Sequence, residues 1–111
     1  MPQQKVTKAS ETPDWGRIGR FPYLYETGGW EFVPDLTPHK GGLMFAARRA
    51  GTLGNANPAD FYPAVIRCTW SRRYGFRCRL TDRGWLWLAG NPHITRAALL
   101  EAIARFCRFA I

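Results

Sequence analysis

The stretch from Phe61 to Ala89, FYPAVIRCTWSRRYGFRCRLTDRGWLWLA, constrains the fold more than any other part of the chain. Runs of alternating apolar and polar residues are broken at Gly75 and Gly84. Glycine takes the left-handed position of a three-residue hairpin loop without steric cost. The pattern predicts a three-stranded antiparallel meander over 62–89. That loop type sets Arg72 opposite Phe76, Trp70 opposite Cys78 and Cys68 opposite Leu80. In the second hairpin it sets Thr81 opposite Trp85 and Arg79 opposite Trp87.

Side chains alternate across a strand, so the meander sorts into two faces. One carries Ile66, Cys68, Trp70, Phe76, Cys78, Leu80, Leu86 and Leu88 and reads as core. The other carries Arg67, Thr69, Arg77, Arg79, Thr81, Trp85 and Trp87, with Arg72, Arg73 and Arg83 in the turns. It reads as a binding surface of guanidinium and indole groups.

The strongest helical signal is NPHITRAALLEAIARFCRF, about 92–109. Leu99, Ile103 and Phe106 fall at i, i+4 and i+7, and Leu100, Ala104 and Cys107 form the neighbouring row. Together they make an apolar stripe that packs on the core face of the meander. Two starts compete: Asn91 capping with Pro92 first in the helix, or Thr95 capping with Ile94 stapled to Leu99.

Residues 20–33 predict a β-hairpin closed by Gly28-Gly29, pairing Tyr25 with Phe32 and Thr27 with Trp30. The same register sets Glu26 against Glu31, a repulsive pair. Residues 34–42 and 51–60 read as loops, with Asn57-Pro58 suited to a single helical turn. Leu43 to Ala50 suits a short strand or a short helix, the bracketing glycines favouring the strand. Pro63 belongs at the start or edge of its strand because it has no N–H to donate. The fold class that follows is α+β: a small antiparallel sheet, built from the N-terminal hairpin and the meander, packed by one C-terminal helix.

At 111 residues the chain makes one domain. Residues 1–14 are polar and read as a flexible tail, leaving 15–111 as a single globular unit. The formal charge of +8 is uneven. Residues 1–60 hold seven Lys/Arg against six acids, whereas 61–111 hold nine arginines against only Asp82 and Glu101. Such an excess favours an anionic partner, either nucleic acid, a ribonucleoprotein or an acidic protein surface.

No apolar run reaches the roughly eighteen residues of a membrane span, and the N-terminus lacks the apolar stretch of a signal peptide. Both point to the cytoplasm and to reduced cysteines. Cys68, Cys78 and Cys107 lack the close pairs of a zinc site, and no cofactor-binding or catalytic motif is present. The composition therefore argues for a small, basic, non-catalytic binding protein. Trp85 and Trp87 would stack bases while Arg67, Arg77 and Arg79 track phosphates. The competing expectation at those positions is structural: the aromatic hairpin 20–33 needs a surface to cover. The alternative function is a protein-binding inhibitor or adaptor of the phage and plasmid anti-defence class, anti-CRISPR-like in size and charge. A homodimer could also cover the basic face with its own copy.

Overall fold

The computed structural model of the chain describes residues 13–20, 25–39, 42–51 and 60–110. Most of the tail expected over 1–14, Tyr23 and Leu24 of the first hairpin, and the turn expected at Asn57-Pro58 lie outside these residues. The elements are α1 (Trp15–Gly19), β1 (Tyr25–Thr27), β2 (Trp30–His39), β3 (Gly42–Arg49), β4 (Phe61–Ser71), β5 (Gly75–Leu80), α2 (Asp82–Ala89) and α3 (Arg96–Ala110). The five strands form one antiparallel sheet in the order β1-β2-β3-β4-β5. The α+β class holds, with a sheet packed by the C-terminal helix.

The first hairpin forms in the expected register, Tyr25 opposite Phe32, Glu26 opposite Glu31 and Thr27 opposite Trp30. Gly28 and Gly29 supply φ angles of 57° and 83°, as a type I′ turn requires. The Glu26–Glu31 repulsion is offset because β3 places Arg48 opposite Glu31, and Arg48 Nη2 donates to Glu31 Oε1 at 2.9 Å. Residues 42–49 take the strand alternative. The loop predicted over 34–42 is instead mostly strand, since β2 continues to His39. Pro34 is tolerated opposite Phe45 because the β2–β3 register becomes irregular from Asp35.

β4 carries a bulge. Phe45 pairs with Ile66 but Ala47 pairs with Tyr62, so Pro63, Ala64 and Val65 face one residue of β3. Ala64 has φ 56°, which turns the chain there. Pro63 thus sits where the ladder is already interrupted.

The expected third strand of the meander is a helix, α2. Thr81 follows β5 and caps α2: its hydroxyl accepts from Gly84 N at 3.1 Å and donates to Ala64 O in the β4 bulge. Thr81 N also donates to Val65 O at 3.1 Å. Asp82 in the first turn complements the helix dipole. The alternation in Trp85-Leu86-Trp87-Leu88 imitates a strand, but Gly84 and Trp87, three residues apart, form the buried face. A Cβ on Gly84 would collide with the Val65 carbonyl, so glycine lets the helix backbone lie directly on the bulge.

α3 follows the Thr95 alternative: Leu99 N donates to Thr95 O at 3.0 Å, and Ile94 and Leu99 are both buried. Leu99, Ile103, Ala104, Phe106 and Cys107 are buried as the stripe predicts, and Phe106 meets Phe45 edge-on at 6.0 Å. α1, to which the sequence pattern assigned no element, is capped by Asp14, buries Ile18 and sets Trp15 edge-on to Phe76 at 5.6 Å.

Candidate nucleic-acid interface

The β4–β5 hairpin is built from Ile66↔Leu80, Arg67↔Arg79, Cys68↔Cys78, Thr69↔Arg77, Trp70↔Phe76 and Ser71↔Gly75. This is two residues from the predicted pairing. Gly75, with φ 72°, takes the first position of β5 rather than the last of the loop. Ser71 Oγ accepts from Tyr74 N at 3.0 Å and closes the turn over Arg72, Arg73 and Tyr74. A slip of two preserves side-chain parity. The core face of this hairpin is therefore the one the alternation predicts, and Arg67, Thr69, Arg77 and Arg79 share the opposite face.

Arg77 and Arg79 are exposed and Arg67 is half-buried. Arg72 and Arg73 are exposed in the turn. Tyr74, which the sequence pattern left out of the site, is 60% exposed between two of these arginines. The Arg77 and Arg73 guanidinium carbons lie 4.9 and 5.3 Å from its ring centroid. Its position in an Arg-Arg-Tyr-Gly turn was the available signal, because a hairpin tip projects its side chains into solvent.

Arg67 faces Arg79 directly, and like charges on opposite rungs repel. Among the described residues, the acids that form ion pairs are Glu31 with Arg48, Asp60 with Arg49, and Glu101 with Arg105 and Arg108. None of these reaches Arg72, Arg73, Arg77 or Arg79. The surface is a concentrated positive field with an aromatic ring inside it.

The two tryptophans expected beside these arginines are elsewhere, because α2 turns them through a helical rather than a β period. Trp87 is 2% exposed and makes edge-on contacts with Trp30 at 5.6 Å and Phe32 at 5.4 Å. Its Nε1 is buried without a protein hydrogen-bond partner. Trp87 thus packs on the first hairpin, whereas Trp85, Arg77 and Arg79, which the structural expectation also placed under it, are exposed. Trp85 remains 52% exposed on α2, with the Arg96 guanidinium 5.3 Å above its ring. Arg83 is exposed on the same helix. Of the eight residues predicted, Arg67, Arg72, Arg73, Arg77 and Arg79 lie on one hairpin, Arg83 and Trp85 lie on α2, and Trp87 belongs to the core.

The cysteines also correct the sequence-based expectation of three free thiols. Cys68 and Cys78 are joined by a disulfide with Cα atoms 4.2 Å apart. The observed register makes them direct cross-strand partners, whereas the predicted one kept them apart. Cys107 is free and buried. Burial pushes its thiol up to about 12, against a small opposing pull from the Arg108 charge.

Among the described residues no group of three His, Cys, Asp or Glu side chains converges, and no helix is long and apolar enough to cross a membrane. No family model, curated protein or solved structure matches the chain.

Proposed function

We propose that the protein binds single-stranded nucleic acid, free or within a nucleoprotein, without acting as an enzyme, through the outer face and turn of the β4–β5 hairpin. The observation that carries this reading is Tyr74, exposed and flanked by Arg73 and Arg77, on a surface where none of the ion pairs among the described residues involves Arg72, Arg73, Arg77 or Arg79. Such a ring can stack on any base, and the guanidinium groups around it can track the phosphates on either side. Trp15 against Phe76 packs the other face near the turn, so the hairpin is backed by α1 rather than free to enter a groove as a ribbon. A basic surface with one exposed ring suits an unpaired strand.

The test is a titration of a labelled oligothymidylate at several salt concentrations. Four arginine–phosphate contacts give a slope of log K against log salt of about −3 for a single strand. Replacing Arg77 and Arg79 together with Ala should weaken binding and reduce that slope by about 1.4. Tyr74→Ala should cost about 1–3 kcal/mol of affinity, the usual worth of one stacked base. Salt-independent binding, or binding indifferent to Arg77 and Arg79, overturns the reading.

A second reading rests on α2, where Trp85 lies exposed beneath Arg96 and the next residue, Leu86, is 77% exposed. Exposed Trp with Arg is the composition of a protein hot spot. On this reading α2 docks the chain on an acidic protein surface, as an inhibitor or adaptor of the anti-defence class. A complex that survives nuclease and is lost in Trp85→Ala would favour it. In either case we place the protein in the cytoplasm, where the Cys68–Cys78 bond would have to be reversible.

A further inference from the structure

The disulfide lies on the back of the proposed binding surface. Cys68 stands between Arg67 and Thr69, and Cys78 between Arg77 and Arg79. The bonded pair is the rung between Arg67↔Arg79 and Thr69↔Arg77. Among the described residues β5 ends the sheet, and β4 alone supplies its ladder. Arg67 and Arg79 put like charges on opposite strands of one rung, and the covalent link on the next rung holds those strands together. Cys68 is buried, but Cys78 is half-buried and lines a cleft of about 240 Å³ shared with Arg77 of β5 and Ala97, Leu100 and Glu101 of α3. Cys78 is therefore the more accessible half of the bond to an attacking thiolate.

Resting on the reading that this hairpin binds a polyanion, we propose that the Cys68–Cys78 disulfide is a reversible switch on that binding. Intact, it holds the arginine rungs in register; cleaved, it frees the outer strand and loosens the grip on phosphates. The reductant is a dithiol. One of its thiolates attacks Cys78 Sγ, forming a mixed disulfide there, and Cys68 leaves as a thiolate and takes up a proton. The second thiolate of the reductant then displaces Cys78, which is protonated in turn. Two electrons and two protons pass to the protein, and the reductant ends as a disulfide.

The experiment titrates labelled oligothymidylate into the full chain, oxidised and after treatment with a dithiol, with near-ultraviolet circular dichroism recorded on both forms. Reduction should weaken binding about fivefold or more, the low end of ordinary coupling between sites. Reoxidation should restore it, and the doubly substituted Cys68→Ser, Cys78→Ser protein should show the weaker affinity whether or not reductant is present. Equal affinity of the two forms, with Arg77→Ala, Arg79→Ala still weakening the oxidised one, overturns the switch and leaves the surface standing. If that double arginine variant binds as well as the unmodified protein, the surface itself falls and the switch with it. Loss of the near-ultraviolet signal on reduction also overturns the switch, because the bond would then hold up the fold as a whole.

Discussion

Trp30 donates its indole Nε1–H to Asn91 Oδ1 at 2.9 Å, joining residues 61 apart in the chain. Asn91 Nδ2 donates in turn to Trp87 O at 2.9 Å. One buried amide therefore ties the second strand to the end of α2 and fixes the entry to α3. Asn91→Ala would strand the Trp30 N–H in the core. An unsatisfied buried donor costs about 1–3 kcal/mol, so the variant should lose about that much unfolding free energy, read as a lower urea midpoint. Asn91→Asp keeps the acceptor, loses the donor and buries a charge, so it should be the more damaging of the two. Equal stability of Asn91→Ala and the unmodified protein would show that the bridge contributes nothing.

Gly84 gives a second prediction. Its Cα lies against the Val65 carbonyl, and a methyl group there meets backbone rather than a movable side chain. Gly84→Ala should destabilise by about 1–3 kcal/mol or more, the cost of forcing atoms into a filled site. In an exposed helix interior the same change would stabilise by up to about 1 kcal/mol. The sign of the change, read from thermal or urea unfolding, distinguishes close packing of α2 on the bulge from a loosely held helix.

Trp85 and Trp87 should separate by solvent access. Acrylamide quenching of the unmodified protein should be dominated by the exposed indole at 85. Trp85→Phe should remove most of the readily quenched emission, whereas Trp87→Phe should leave it in place while lowering stability. The reverse result would mean that α2 presents its other face.

Cys107 predicts a pH dependence. Its thiol is held up to about 12 by burial, above its ordinary value of 9.0. Below pH 9 both folded and unfolded chains keep the proton, and the contribution to stability is complete. As pH rises towards 12 the unfolded chain releases the proton and the folded one retains it. Stability should then fall by about 1.4 kcal/mol per pH unit through this group. Unfolding midpoints of the unmodified protein and Cys107→Ala, compared from pH 8 to 10.5, should converge or cross as pH rises. A gap that stays constant would mean that the thiol is solvated.

What the sequence revealed follows from how local each signal is. The first hairpin's register is decided by the two glycines of a two-residue turn, and the C-terminal helix by a stripe spanning about two and a half turns. Both depend on neighbours in the chain, and both are read correctly. The arginine face survives because the hairpin slip is an even number of residues. The disulfide does not survive the same slip, since it needs Cys68 and Cys78 on one rung. The segment 82–89 fails for a different reason. Four alternating aromatic and aliphatic residues satisfy a strand and a helix alike, and Thr81-Asp82, an N-cap followed by a first-turn acid, was the local signal that would have decided it. The bulge at Pro63, Ala64 and Val65 has no local signal as complete, because it exists to receive Thr81 and Gly84 from seventeen or more residues downstream.

Among the described residues β5 has no strand on its outer side, so part of its backbone N–H and C=O row is open to an extended segment that approaches. Arg77 and Arg79 stand along that row, and in dilute salt two copies of the molecule repel one another there. A bound polyanion, or concentrated salt, removes the repulsion. Conditions that saturate or screen the arginines should therefore also be those in which the protein begins to self-associate, edge against edge.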